Sequence, residues 1–520
     1  MVSEVEYMTN RTPTRRRIRR SSGYPELTDA MIERFTETAK QISESIAKDQ
    51  TREMVLDPKI INTLKYVERF VSKNRLIVYG GTALNAVLPP KDQFYSTEYD
   101  LPDWDFFSDD PVKHAITIAD DVHKNTGSET FVTTAAHHGT YKVYADGVSI
   151  ADITHVDSEL LDVLRKHALT RDNILYSGPD YLRMAAYLEL SRPRGQVERW
   201  EKVMKRLSLL NRAHPIQIRD HKPTRPELSK SVRTAVLRAL VNLQDTRKKE
   251  DEEFAFIGPE CVDLLRRSIG RDGRKRAPEF SIPRYAMYPM LISPNPKKTL
   301  RRITRTLGEE DGVLSDGTKI HTVTRQGRGE FLPDSYEVRI GKKGPIACFI
   351  IGTSNGCQSV YRIESRVPSS DGKRTQKVLI ASIESCLYMF LSIRFAKVLP
   401  VSASAILKIC DKLVHLHYKA LLLDEKPILP LPTECVGDQE TLNDMRKERR
   451  REITNLSKQR GWKTSAEYYL WNIRYNGGDD KLHNTIYRAL ETYKRENAGS
   501  DTKKTRTKQK TLRRKKTRNV

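Results

Sequence analysis

The sequence predicts an α+β fold, and three observations carry that reading. A short apolar run, Arg75 to Tyr79, stops at Gly80-Gly81 and gives way at Thr82 to a helix start. Two alternating runs flank Asp146-Gly147 in GTYKVYADGVSIADITHV, the pattern of a β-hairpin. Long stretches at helical spacing lie outside these runs, from Pro179 to about Leu210 and from Ser402 to Leu423.

The bulk numbers bound what the fold serves. A chain of 520 residues carries roughly two to four domains. With 38% hydrophobic and 30% charged residues it has material for real cores and is not globally disordered. A formal charge of +24 and a pI near 9.6 call for a polyanionic partner. A membrane is the weaker candidate. The most apolar stretch, Val378 to Leu399, contains Glu384, Arg394 and Lys397, and the opening MVSEVEYMTN has no signal-peptide core. The expectation is a soluble protein with no membrane partner. None of the six cysteines falls in a CxxC pair, so they read as free thiols in a reducing compartment.

Taken in order, residues 1–26 form a basic arm with Arg11, Arg15, Arg16, Arg17, Arg19 and Arg20, expected to be disordered. Helical spacing runs from about Leu27 to Val71 and includes Ile42, Ile46, Ile60, Ile61 and Leu64. LPDWDFFS reads as a strand, and Ile116, Ile118, Ala119 and Val122 mark a helix after it. A mixed, Gly- and Pro-rich region from about Glu253 to Glu364 carries β-like runs such as YEVRI and ACFII. Val378 to Lys397 reads as a buried helix, and RKERRREI onward as a charged, solvated one. The expected division is 27–250, 251–435, a helical segment 436–498, and a disordered basic tail 499–520. The tail suits RNA contact through counterion release, with nuclear import as the alternative.

Three features carry chemistry, and their order matters. Glycines at Gly80-Gly81-Thr82, between strand and helix, let backbone approach a phosphate beside free N–H donors. The same pair also reads as a plain turn. Asp103 and Asp105 stand two apart on a strand, so both carboxylates share one face, where repulsion raises their pKa values unless a divalent cation intervenes. An exposed acidic strand edge is the bland alternative. Asp152 lies among Ile150, Ala151 and Ile153 and needs a metal or a hydrogen-bond partner. Together the three make the layout of two-metal phosphoryl transfer.

At this point a resemblance is visible. The Gly-Gly-Thr turn, the Asp-x-Asp pair and the later single Asp are similar to the signature of polymerase β-like nucleotidyltransferases. YGGTALN, LPDWDFFS, SIADITHV and YLELSRPRGQVERWEKVMKRLSLLN resemble the poly(A) polymerase catalytic subunits of large cytoplasmic DNA viruses. The likeness covers about Arg75 to Asn211 and returns faintly in VLIASIESCLYMFLSIRF. It implies a polymerase β-like nucleotidyltransferase domain, a second, degenerate nucleotidyltransferase-like domain, and a helical C-terminal segment. Residues 253 to 400 show no Gly-Gly followed by a paired-carboxylate strand, so the second region is expected to be non-catalytic.

By this resemblance Gly80, Gly81 and Thr82 hold the triphosphate. Asp103, Asp105 and Asp152 hold Mg²⁺, with Mn²⁺ as a substitute. Asn85 reaches the site from the same helix, Lys202 or Arg199 neutralises phosphate, and Tyr181 packs on the base. For the last three, a solvated helix face and a core tyrosine are equally open readings. The implied partners are ATP and an RNA 3′ end, with a second copy of the chain or a separate processivity subunit left open. The implied activity is template-independent addition of AMP by a viral protein of the host cytoplasm or virion. Uridylyl-, CCA-adding and oligoadenylate-type enzymes, and an RNA-binding subunit without activity, are the alternatives.

Overall fold

The computed structural model describes residues 28–96, 100–218, 228–245, 254–272, 288–310, 313–314, 317–327, 333–353, 356–369, 372–396, 403–422, 429 and 431–497. Both basic arms lie outside the described residues. Residues 1–57 with 97–101 make one compact unit and the remaining residues another. Of the first, helix α1 (Asp29–Leu56) is described, with Met31, Ile32, Phe35, Ile42 and Ile46 exposed along it.

The second unit opens with α2 (Pro58–Lys73), whose Leu64, Val67 and Val71 are buried. There follow β1 (Ile77–Val78), α3 (Gly80–Val87), β2 (Asp105–Ser108), α4 (Pro111–Thr126), β3 (Thr130–Thr134), β4 (Thr140–Ala145), β5 (Val148–His155), α5 (Ser158–His167), β6 (Leu169–Arg171), β7 (Ile174–Tyr176), α6 (Pro179–Leu190) and α7 (Trp200–Ala213). A second series comprises α8 (Lys230–Asp245), β8 (Ala255–Phe256), α9 (Pro259–Asp272), β9 (Met290–Ser293), α10 (Pro296–Glu309), β10 (Ile320–Arg325), β11 (Ser335–Ile340), β12 (Ile346–Gly352), β13 (Gln358–Ser369), β14 (Gly372–Ala381), α11 (Ile383–Ala396) and α12 (Ala403–Leu422). The chain ends its described course with β15 (Cys435–Val436), α13 (Leu442–Leu456), α14 (Ala466–Asn472), β16 (Arg474–Asn476) and a helix α15 over 480–497.

These elements build two eight-stranded sheets on an α+β plan. The first runs β16-β3-β4-β5-β2-β1-β7-β6 and the second β10-β11-β12-β9-β8-β14-β13-β15. The second repeats the pairing of the first. The antiparallel β1–β2 pair is matched by β8–β9, and the parallel β2–β5 pair by β9–β12. The β5–β4–β3 meander is matched by β12–β11–β10, and the parallel β1–β7 pair by β8–β14. Helices α6 and α11 follow the corresponding strands β7 and β14 and pack against each other.

Several expectations change. Val378 to Ala381 ends strand β14 rather than starting a helix, and α11 begins at Ile383. Val378 and Ile380, both β-branched, suit a pleated, buried position, and the Ser382 hydroxyl accepts from Ser385 N–H at 3.1 Å, as an N-cap does. The segment beyond residue 436 is not purely helical. Tyr475 is 1% exposed, and its strand β16 closes the edge of the first sheet on β3. All six cysteines are free thiols, five of them buried. Among the described residues no helix is long and apolar enough to cross a membrane.

Candidate active site

The Asp146-Gly147 hairpin sets the position of Asp152. Both residues take left-handed backbone, φ 48° and 81°, as a two-residue turn between twisted strands requires. Strict alternation from that turn would put Asp152 on the face of Ile150. A bulge intervenes: Tyr144 pairs with Ser149 but Val143 with Ala151, leaving Ile150 unpaired. Ile150 and Ala151 are both buried in sequence, and Asp152 turns to the other face. There it sits beside Asp105 in register on the parallel neighbour β2.

The ladder of β2 starts at Asp105, so Asp103 is not within the strand as expected. It lies two residues before the strand, where the Asp105 N–H donates to the Asp103 carbonyl at 3.0 Å. Trp104 between them is 4% exposed, and its anchoring in the core leaves both aspartates on the opposite side. Withdrawal from solvent, then the negative charges of Asp103 and Asp152, push Asp105 up to about 8. Withdrawal from solvent and Asp152 also raise Asp103. Lys142 on β4 opposes both shifts and binds the Asp152 Oδ2 directly. Burial disfavours its ammonium, but the Asp152 carboxylate outweighs burial and the Lys142 pKa is raised.

The turn into α3 adjoins this cluster. Gly80, with φ 71°, is so close to Asp105 that a Cβ there would lie 2.5 Å from Oδ2. A Cβ on Gly81 would collide with the Tyr95 hydroxyl and approach Arg206 Nη1 at 3.2 Å. Thr82 Oγ1 is buried without a hydrogen-bond partner among the described residues. Asn85 does not reach the cluster with its carbonyl. That oxygen accepts from Phe94 N at 2.7 Å and Tyr95 N at 3.0 Å, holding Tyr95 over the turn.

Arg206 on α7 is a cation the sequence reading missed. Its guanidinium lies over the Phe94 ring at 4.2 Å and reaches the Tyr95 hydroxyl at 3.3 Å. Lys202, one turn earlier on α7, is exposed. Arg199 is engaged by Glu189 at 3.1 Å and Gln196 at 3.0 Å. The i, i+4 spacing of Lys202 and Arg206 was the available signal for Arg206; nothing in the sequence announced Tyr95.

On the same face a cavity of about 840 Å³ opens from Asp152 and Lys142 along the sheet. Its floor includes Tyr79, Thr140 and Thr154, joined hydroxyl to hydroxyl at 2.8 and 2.9 Å. Tyr79 stacks on Phe107 at 4.2 Å. Tyr181 meets Phe107 edge-on at 5.6 Å and lines the cavity wall with Met184 and Leu188.

Residues 65–196 match the family described as the poly(A) polymerase catalytic subunit. That segment contains the Gly80-Gly81 turn and all three aspartates. A protein of African swine fever virus assigned as a poly(A) polymerase catalytic subunit is 30% identical over 161 residues, 30% of this chain and 34% of that protein. One of Acanthamoeba polyphaga mimivirus, assigned likewise, is 26% identical over 222 residues, 40% of this chain and 36% of that protein. The alignments therefore span about a third of the relatives' length. The Megavirus polyadenylate synthase structure superimposes with a TM-score of 0.64 at 17% identity, covering 85% of this chain and 86% of that one. The likeness of fold thus extends well beyond the matched segment.

Among the described residues no three His, Cys, Asp or Glu side chains converge into a ready-made cage. The donor chemistry nonetheless fits a hard divalent ion: Asp105 and Asp152 stand side by side, ionisation of Asp105 is opposed by its neighbours, and an ammonium already balances one of them.

Proposed function

We propose that the protein is a template-independent polynucleotide adenylyltransferase, transferring AMP from ATP to RNA 3′ ends with release of pyrophosphate. The observation that carries this is the apposition of the Asp105–Asp152 pair to the Gly80-Gly81 turn within the matched segment. Magnesium ions held by Asp105, Asp152 and the flanking Asp103 would supply activation of the 3′-hydroxyl and neutralisation of the phosphates. The chain's own groups orient the reactants. The side-chain-free surface of Gly80-Gly81 leaves room for phosphate oxygens, and the orphan hydroxyl of Thr82 offers them a donor. Arg206, steered by the Phe94 and Tyr95 rings, brings positive charge to that end. Lys142 offsets carboxylate repulsion before metal and substrate arrive.

The second sheet supports a positioning role for its region. Met290 and Phe349 occupy the register positions that Asp105 and Asp152 hold in the first, so the pairing pattern recurs without its carboxylates. The relatives' designation as catalytic subunits is compatible with a separate partner subunit for this chain also.

The test is extension of an oligo(A) RNA with magnesium and each NTP in turn. ATP should be strongly preferred. Asp105→Ala should lower the rate at least about a thousandfold, as expected when a charge-stabilising group is removed, while circular dichroism is unchanged. Near wild-type extension by Asp105→Ala would overturn the assignment of the site. Preference for another nucleotide would overturn the adenylyl specificity.

A further inference from the structure

The charged helix α13, read from sequence as a solvated surface, is tied to a loop that lines the cavity. Arg449 hydrogen-bonds the carbonyls of Ala135 and Ala136, the first residues of the loop joining β3 to β4. Next along that loop, His138 stacks on Trp471 of α14 at 3.7 Å. Tyr141 donates to the Leu470 carbonyl at 2.9 Å. Ala135, His138 and Leu470 all line the cavity that begins at Asp152.

Helical geometry at about 100° per residue places Arg446 about 60° and Arg450 about 100° round the axis from Arg449, on the same side, so the three share one stripe about 100° wide. Both are exposed, and among the described residues neither has a carboxylate partner. Lys458 and Arg460, just beyond the helix, are likewise exposed and unpaired among the described residues. Between Met445 and Lys463 the chain has eight basic residues and two acidic ones. Trp462 stands at the end of this row, with the Lys463 ammonium 5.7 Å from its ring. Uncompensated cations in a row, ending on a partly exposed aromatic ring, suit a flexible polyanion with stackable bases. A protein partner would find here no apolar core to bury.

We infer that the stripe of Arg446 and Arg450, continued by Arg460 and Trp462, is the surface that grips single-stranded RNA upstream of the 3′ end seated in the cavity. This deepens the polyadenylation reading and rests on it for the identity of the polyanion.

The experiment uses the full chain with Arg446, Arg450 and Arg460 all changed to Gln. Binding of a long oligo(A) is measured by anisotropy over a range of salt, and the KM for ATP is measured beside it. The expected result is a Kd for RNA raised about tenfold or more. The slope of log affinity against log salt should fall by about two, because each single-strand phosphate contact contributes about 0.7. The KM for ATP and the melting temperature should hold. A 4-thiouridine placed a few nucleotides upstream of the 3′ end should cross-link to the peptide carrying Trp462. Unchanged affinity and salt slope, or cross-links confined to other peptides, would overturn the inference. The affinity comparison needs no turnover, so it still reads this surface if the wild type adds no AMP. In that case it is the polyadenylation reading that has failed.

Discussion

At Asp105 the fold works against ionisation, and this has a sign that can be measured. Its pKa is about 8 in the folded chain, against an ordinary value of 3.8. A carboxyl raised on folding leaves stability untouched below its unfolded pKa. It then costs progressively more as pH rises through the window up to the folded pKa. Asp105→Asn should therefore melt with the wild type at pH 4 and several degrees above it at pH 8 without metal. A difference that is constant with pH would mean that neither burial nor the Asp103 and Asp152 charges hold Asp105 above the usual carboxylate range. At Gly81 the constraint is steric. A Cβ there meets the far end of the Tyr95 side chain rather than backbone. Gly81→Ala should raise the KM for ATP about tenfold, and adding Tyr95→Phe should recover part of the loss by removing the colliding oxygen. Equal KM values for the single and double variants would assign the effect to the backbone of the turn instead.

Among the elements, those with a local cause were legible in the sequence and those set by distant partners were not. Asp146-Gly147 requires two left-handed residues, so its hairpin could be read directly. The Ile150 bulge that aims Asp152 could not, because alternation gives no hint of which residue a ladder will skip. Val378 to Ala381 fits helix and strand patterns alike, and its place between β13 and β8 decides. Arg206 and Tyr95 meet over Gly81 although 111 residues separate them. Helix α6 shows how heavily such distant pairing is used. Arg183 is almost wholly buried and donates to Asp180 at 2.6 Å, to Asn211 at 2.6 Å and to the His214 carbonyl. Asp180 also takes Arg394 of α11 at 2.7 Å, so the Asp180–Arg183 pair joins α6 to α11 through the carboxylate and to α7 through the guanidinium. Arg183→Leu would take the guanidinium from all three acceptors, leaving Asp180 only Arg394 and leaving the half-buried Asn211 oxygen and His214 carbonyl bare, and should cost about 3–5 kcal/mol. A urea midpoint shift corresponding to less than about 1 kcal/mol would show that water replaces the guanidinium at this joint.

On the scale of the whole molecule, the chain makes two sheets of one pairing pattern and then returns to the first. The return is what sequence order hides most completely. Strand β16 pairs with β3 across more than 300 residues of intervening chain. Ile473 and Ile486 are fully buried and Tyr475 nearly so. The Tyr475 hydroxyl, the Gly478 N–H and His483 Nδ1 all converge on Asp120 of α4, at 2.5, 2.9 and 2.8 Å. Burying three such side chains is worth about 1.5–3 kcal/mol each, a sum comparable with the whole stability of a typical domain, about 5–15 kcal/mol. Truncation after Val436 should therefore unravel the first sheet even though every candidate catalytic residue is retained. It opens the β3 edge, which invites association with other chains, and it strips Asp120 of three partners. The second sheet keeps its own strands and should be affected far less. Hydrogen exchange can separate the two: amides of β3, β4 and β5 should lose protection in the truncated protein while those of β11 and β12 keep theirs. Nucleotide addition should fall with the first set, because Asp152 lies on β5. Full protection in β3 and β4 after truncation would show that the sheet stands without its returning strand, and would confine the C-terminal segment to the RNA-facing surface.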